Sequence, residues 1–176
     1  MIQQEDLFLE TERLIIRPFT TNDIDASYEM NLDEEVSRFT GDGGIVDRNE
    51  MERRIREDVL GDYSKYGYGR LAVDWKATGE FIGFTGFKYI PEIKKTDLGF
   101  RFRKEFWGKG IATESCAACI RLAREKMDLD IVYAFVLPEN KASVRVLEKM
   151  GLVFTRQFQE DGMTVLEYMI EINKKT

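Results

Sequence analysis

The sequence predicts a mixed α/β domain built on a central, twisted sheet that is mostly antiparallel and holds one parallel pair of strands. Three observations lead there. The elements run strand, two helices, three strands, helix, strand, helix, two strands. The stretch 96–136 reads strand–helix–strand, a unit that lays two strands side by side in parallel through a right-handed crossover. The remaining strands are joined by turns that favour hairpins, the clearest being Asp161-Gly162.

The elements follow in order. Leu14-Ile15-Ile16-Arg17-Pro18 is an opening strand stopped by proline. Thr21-Asn22-Asp23 offers caps for a helix through about Met30. Gly41-Asp42-Gly43-Gly44 is a loop, after which Asp47 caps a helix whose Met51, Ile55, Val59 and Tyr63 form one apolar stripe. Strands are expected over 68–75, 81–90 and 96–102, with Gly83 and Gly86 marking a bulge or a close backbone approach. A helix over 111–127 leads to a continuously apolar, buried strand over 131–136. Asn140 caps a helix to Met150, Gly151 stops it, and a hairpin over 152–159 and 163–170 ends the fold.

Composition limits the function. The chain has 176 residues, 43% hydrophobic and 33% charged, the profile of one folded domain spanning residues 1–176. No membrane-length apolar run and no secretory signal are visible, and two cysteines make no disulfide framework, so the expected location is cytoplasmic, without a membrane partner. There is no histidine, which removes Ser-His and Cys-His nucleophiles and histidine-based metal sites; no metal is expected. The net charge of −6 argues against nucleic acid as a partner. That charge is uneven. Residues 20–62 carry 13 acids against five arginines, a balance of −8. Residues 101–110 sum to +3 and residues 141–150 to +2. Ordinary solvated surfaces account for any one segment; together they suit an anionic ligand in the second half and a cationic one near the first.

The stretch most suggestive of chemistry is Trp107-Gly108-Lys109-Gly110-Ile111-Ala112-Thr113-Glu114, where a strand runs through a glycine-containing turn into a helix. Such a turn presents successive N–H groups and a positive helix end to a phosphate. It is not a P-loop, lacking Gly-x-x-x-x-Gly-Lys-Ser/Thr, and Thr113 stands where a dinucleotide fingerprint needs a third glycine. A tight structural turn remains the competing explanation for these residues alone. Cys116 and Cys119 lie too far into the helix for a redox pair and lack companions for zinc, so they are expected in the core.

Together these segments resemble the GNAT superfamily of acetyl-CoA-dependent N-acetyltransferases. The phosphate turn matches its Gln/Arg-x-x-Gly-x-Gly/Ala pattern, except that Trp107 replaces the first residue. Trp-Gly-Lys-Gly-x-Ala-Thr-Glu, the opening Leu9-Glu10-Thr11-Glu12-Arg13-Leu14-Ile15-Ile16-Arg17-Pro18, and the helix Asn140-Lys141-Ala142-Ser143 ending in Glu148-Lys149-Met150-Gly151 are most similar to the ribosomal-protein-alanine N-acetyltransferase subgroup. The resemblance implies helices on both faces of the sheet and a parallel pair that splays. It implies acetyl-CoA as cosubstrate, with the N–H groups of Gly108, Lys109, Gly110 and Ala112 and the Thr113 hydroxyl on its pyrophosphate. Its pantetheine would lie along the strand edge at Phe100 to Phe102, and Asn140 would be a further contact. The reaction implied is direct attack by a primary amine (a protein N-terminus, a polyamine or a cationic small molecule) within a ternary complex.

The amine must lose a proton, and without histidine the candidates are carboxylates: Asp97 first, where the subgroup typically has Glu, then Glu114. Many superfamily members protonate the leaving thiolate with a tyrosine; Leu147 stands there, and the subgroup points to Ser143, one helical turn after Asn140. That vacancy also supports a rival, a catalytically inactive CoA-binding sensor or interaction module. A terminal hairpin with hydrophobic edge strands makes a homodimer the natural oligomer to test.

Overall fold

The computed structural model describes residues 2–41 and 43–173, so Asp42 of the glycine-rich loop lies outside the described residues. Among the described residues nine strands form one sheet: β1 (Leu9–Glu10), β2 (Leu14–Pro18), β3 (Arg70–Trp75), β4 (Glu80–Ile90), β5 (Lys95–Leu98), β6 (Arg101–Phe102), β7 (Ile131–Val136), β8 (Val153–Glu160) and β9 (Met163–Glu171). Their order is β1-β2-β3-β4-β5-β7-β9-β8, with β6 paired to β4. All pairings are antiparallel except β5 with β7. Asp161 and Gly162 both take positive φ, 48° and 75°, as a two-residue hairpin turn between right-twisted strands requires.

Alternation along the strands sorts side chains into two cores. Leu71, Val73 and Ile82 pack with Leu14, Ile16 and Phe87 against α5 (Ile111–Lys126), where Ile111, Cys116, Cys119 and Ala123 are buried. Ala72 and Phe81, on the opposite face, pack with Ile24 and Met30 of α1 (Ile24–Leu32), Val36 of α2 (Glu34–Ser37), and Met51 of α3 (Arg48–Arg53). The sheet therefore has helices on both faces, as the resemblance implies. Both cysteines are fully buried, and burial pushes their thiols up, Cys119 to about 12, so they are packing residues.

Two local features depart from the expected elements. The helix after Asp47 is not uniform. Between α3 and α4 (Leu60–Tyr66) residues Arg54–Val59 form a π-helical segment. The wider turn breaks the four-residue stripe: Met51, Ile55 and Val59 stay with the second core, while Tyr63 packs on the first. The strand expected over 96–102 is split between β5 and β6. Gly99 donates to the Gly86 carbonyl at 3.0 Å, and its α-carbon passes so close to the Arg70 guanidinium that a Cβ would stand 2.6 Å from it. No helix among the described residues is long and apolar enough to cross a membrane.

Candidate active site

The split strand makes the cleft. β5 meets β7 at a single register pair, Asp97 with Tyr133. Beyond it the chain turns to β4 through β6, while β7 runs on paired to β9 as far as Val136 with Leu166. The sheet parts there, and a cavity of about 1450 Å³ opens. Gly99 and Arg103 donate backbone N–H groups to β4, and Arg101 pairs with Phe84. By alternation the backbone polar groups of Phe100 and Phe102 are directed to the other side, along the cleft. The Phe102 carbonyl accepts from Trp107 Nε1 at 2.8 Å, which fastens the following turn to this edge.

The turn itself is shaped by Gly108 and Gly110, with φ of 70° and 76°, values that strongly disfavour side chains with a Cβ. Gly110 is the N-cap of α5 and supplies no side chain, and the first helical bond runs from Glu114 N to Gly110 O. The amides of Ile111, Ala112 and Thr113 therefore lie in the first turn without helical acceptors. A Cβ on Gly108 would meet nothing within 4 Å, so there is room before the helix end for a bulky anion.

Behind the turn Glu114 makes a clamp. Its Oε1 accepts from Thr11 Oγ1 (2.6 Å) and Arg13 N (2.9 Å), and its Oε2 from Arg13 Nε (2.7 Å). Arg13 in turn donates to the Lys109 carbonyl at 2.8 Å. Burial pushes the Glu114 carboxyl up, but the bonds from Thr11 and Arg13 outweigh it and leave it below the usual carboxylate range. Its carboxylate faces the β1–β2 turn. Apart from Glu114 and Lys109, every candidate named from the sequence lines the one cavity: Asp97, Phe100, Phe102, Trp107, Gly108, Gly110, Ala112, Thr113, Asn140 and Ser143.

Asn140 and Ser143 come together at the start of α6 (Lys141–Lys149), where Asn140 Oδ1 accepts from Ser143 N at 3.2 Å. Asp97 is buried, and its Oδ2 accepts from Arg70 at 2.5 Å. Leu147 is 2% exposed and belongs to the core.

Several cavity residues had no signal in the sequence. Asp62 lines the cavity from α4, and burial pushes its carboxyl up, with Lys88 and Arg70 opposing and Asp58 reinforcing. Ser27 lines it from α1; it is 5% exposed, and its hydroxyl has no hydrogen-bond partner among the described residues. A buried hydroxyl left so costs about 1–3 kcal/mol. Much of the acidic segment is paired, with Arg17 and Lys104 coming from outside it. Arg17 holds Asp23, Arg48 holds Asp25, Arg53 and Arg54 hold Glu50, Arg56 holds Glu52, and Lys104 holds Glu35.

Comparison with known proteins places this architecture. The model of the acetyltransferase (GNAT) domain family matches residues 13–153. The uncharacterized N-acetyltransferase YoaA of Bacillus subtilis (strain 168) is 28% identical over 166 residues, covering 93% of this chain and 88% of the relative. The crystal structure of an acetyltransferase from Agrobacterium tumefaciens str. C58 is 27% identical with a TM-score of 0.79, covering 93% of this chain and 94% of that one. The RimL ribosomal L7/L12 alpha-N-protein acetyltransferase in complex with coenzyme A has a TM-score of 0.80 at 17% identity, covering 94% and 97%, a likeness of fold. The chain belongs to the GNAT acetyltransferase family. It is an N-acetyltransferase.

Proposed function

We propose that this single-domain enzyme transfers an acetyl group from acetyl-CoA to a primary amine by direct attack in a ternary complex within the cleft. The observation that carries the reading is the uncapped N-terminus of α5, preceded by two left-handed glycines and opening on the same cavity as the outward edge at Phe100 and Phe102. Acetyl-CoA, when bound, supplies a thioester whose carbonyl carbon is open to attack by an amine. The amides from Gly108 to Thr113 hold its pyrophosphate, helped by the local positive charge. The backbone groups of Phe100 and the N–H of Phe102, whose carbonyl is held by the Trp107 indole, pair with the pantetheine amides as an added strand would. Asn140 and Ser143 line the same cavity, where the Ser143 hydroxyl would hydrogen-bond the departing sulfur. Asp97, oriented by Arg70, is a carboxylate within the same cavity. That RimL, a protein of the same fold, is known with coenzyme A bound supports the choice of cosubstrate.

Gly110→Val tests the reading. A Cβ at φ 76° strains the turn and stands 3.6 Å from the Arg13 guanidinium. Isothermal titration is expected to show CoA binding weakened at least ~10-fold, about 1.4 kcal/mol, with the unfolding transition retained. Unchanged affinity would remove the phosphate site.

Glu114→Gln tests the clamp separately. Loss of the negative charge that holds Arg13 frees the Lys109 carbonyl, and CoA affinity is expected to fall by roughly 3- to 10-fold, about 0.7–1.4 kcal/mol. In the parent enzyme the Glu114 carboxyl lies below the usual ~4.3, so the clamp is complete at neutral pH and is lost as pH falls through that lowered value. Equal CoA affinity in parent and variant at pH 7 would show that the clamp does not position the turn.

A further inference from the structure

We propose that β8 is an interaction surface for a second copy of this chain: two β8 strands pair antiparallel across a two-fold axis at Phe158 and join the two sheets into one. This does not depend on the acetyl-transfer reading.

The first observation is the edge itself. Among the described residues β8 pairs with β9 alone, and it is exposed at every position but Phe158. The opposite edge, β1, is only two residues long. Edge strands are commonly guarded by shortness, proline, lysine or bulges. β8 has eight residues and neither proline nor lysine, and its one register shift lies between Phe154 and Arg156. Residues 156–160 therefore run straight with one side open. Val153, Phe154 and Met163 of the same hairpin are exposed at 60%, 54% and 38%, apolar surface that a bare edge leaves uncovered.

The second observation is the backbone. The two-residue turn at Asp161-Gly162 makes Glu160 and Met163 the hydrogen-bonded pair that closes the hairpin. By alternation Phe158 and Arg156 also bond inward, to Val165 and Glu167, while the N–H and C=O groups of Gln157 and Gln159 are directed outward. The third is self-complementarity, which a two-fold pairing requires. With the axis at Phe158, Gln157 meets Gln159 of the second copy in a hydrogen-bonded pair, and Arg156 meets Glu160 of the second copy, twice over. An axis at Gln157 or Gln159 loses that ion pair. Its members are available. Glu160 has no ion pair among the described residues. The Arg156 side chain is 56% exposed and shares Glu167 with Lys95 (2.6 Å) and Thr155 (2.9 Å), so its other N–H groups can serve a second carboxylate. On the same face Phe158 packs edge-on against Phe135, and the axis brings two such aromatic pairs together.

Sedimentation equilibrium tests this on the full chain, which is expected to dimerise. Gln157→Pro removes an outward N–H without touching the β9 ladder, and Glu160→Arg sets like charges face to face. Each should raise the dimer dissociation constant at least ~10-fold while the unfolding transition is retained. Glu160→Arg mixed with Arg156→Glu should give a heterodimer, because every facing pair is then opposite in charge. Phe158→Cys should link two copies by a disulfide on oxidation, and Gln157→Cys should not, since only the first stands on the axis. A parent that stays monomeric, a dimer that both Gln157→Pro and Glu160→Arg leave intact, or linkage through Gln157→Cys rather than Phe158→Cys overturns the proposal. So does a mixture that fails to pair although both its variants keep the parent's unfolding transition.

Discussion

Gly83→Ala is expected to destabilise the protein by about 4 kcal/mol or more, in the range reached by few single substitutions. A Cβ there would stand 2.1 Å from the Arg101 carbonyl oxygen and 2.8 Å from the Phe102 α-carbon. Both neighbours are backbone, so no rotamer change relieves the contact. Gly83 pairs with Phe102 across β4 and β6, and β6 can yield only by leaving the sheet. Because β6 carries the cleft edge and receives the Trp107 indole, the change should also weaken CoA binding in whatever fraction remains folded. Urea unfolding followed by circular dichroism measures the first effect and titration the second. A midpoint within error of the parent would mean that β6 does not hold its place as described.

Arg17→Met should cost about 3–5 kcal/mol at neutral pH, because it strands two carboxylates rather than one. Arg17 bonds Asp74 through Nε at 2.7 Å and Asp23 through both terminal nitrogens at 2.8 and 2.9 Å. Asp23 is 5% exposed. Burial pushes its carboxyl up, but the Arg17 guanidinium and the Thr20 amide outweigh that and hold it below the usual range. The contribution of Asp23 is therefore complete above the unfolded value, ~3.9, and is lost as pH falls through the lower folded value. Without Arg17 the burial effect acts unopposed, and Asp23 in the variant folds more readily as the neutral acid. The stability gap between parent and variant should thus be widest near pH 7 and narrow below about pH 4. A gap independent of pH would show that the introduced methionine acts through packing alone.

The chain's local chemistry made much of this legible. Pro18 ended the opening strand, Asp161-Gly162 closed the last hairpin, and Asn140 and Gly151 bracketed α6, each because one residue type satisfies a backbone requirement that others meet poorly. Gly108 and Gly110 announced the turn before α5 for the same reason. What was not legible depended on groups distant in sequence. The break between β5 and β6 arises from the approach of Arg70 to Gly99 and from the bonding of Gly99 to Gly86. The π segment displaces Tyr63 from a stripe that an even four-residue period would continue, so Asp62 at the cleft could not be read from spacing.

Glu114 illustrates the same limit at the level of a single side chain. Its place in the first turn of α5 follows from the sequence, but its partners, Thr11 and Arg13, lie about a hundred residues away and turn a candidate proton acceptor into a clamp behind the turn. The amino-acid sequence by itself determined the order of elements, the glycine turn at the head of α5 and the family resemblance, because these depend on short-range backbone preferences. Only the tertiary structure decided which carboxylates are paired, which hydroxyl is left enclosed and where the sheet parts, because each of these is a contest between burial and a partner brought from elsewhere in the chain.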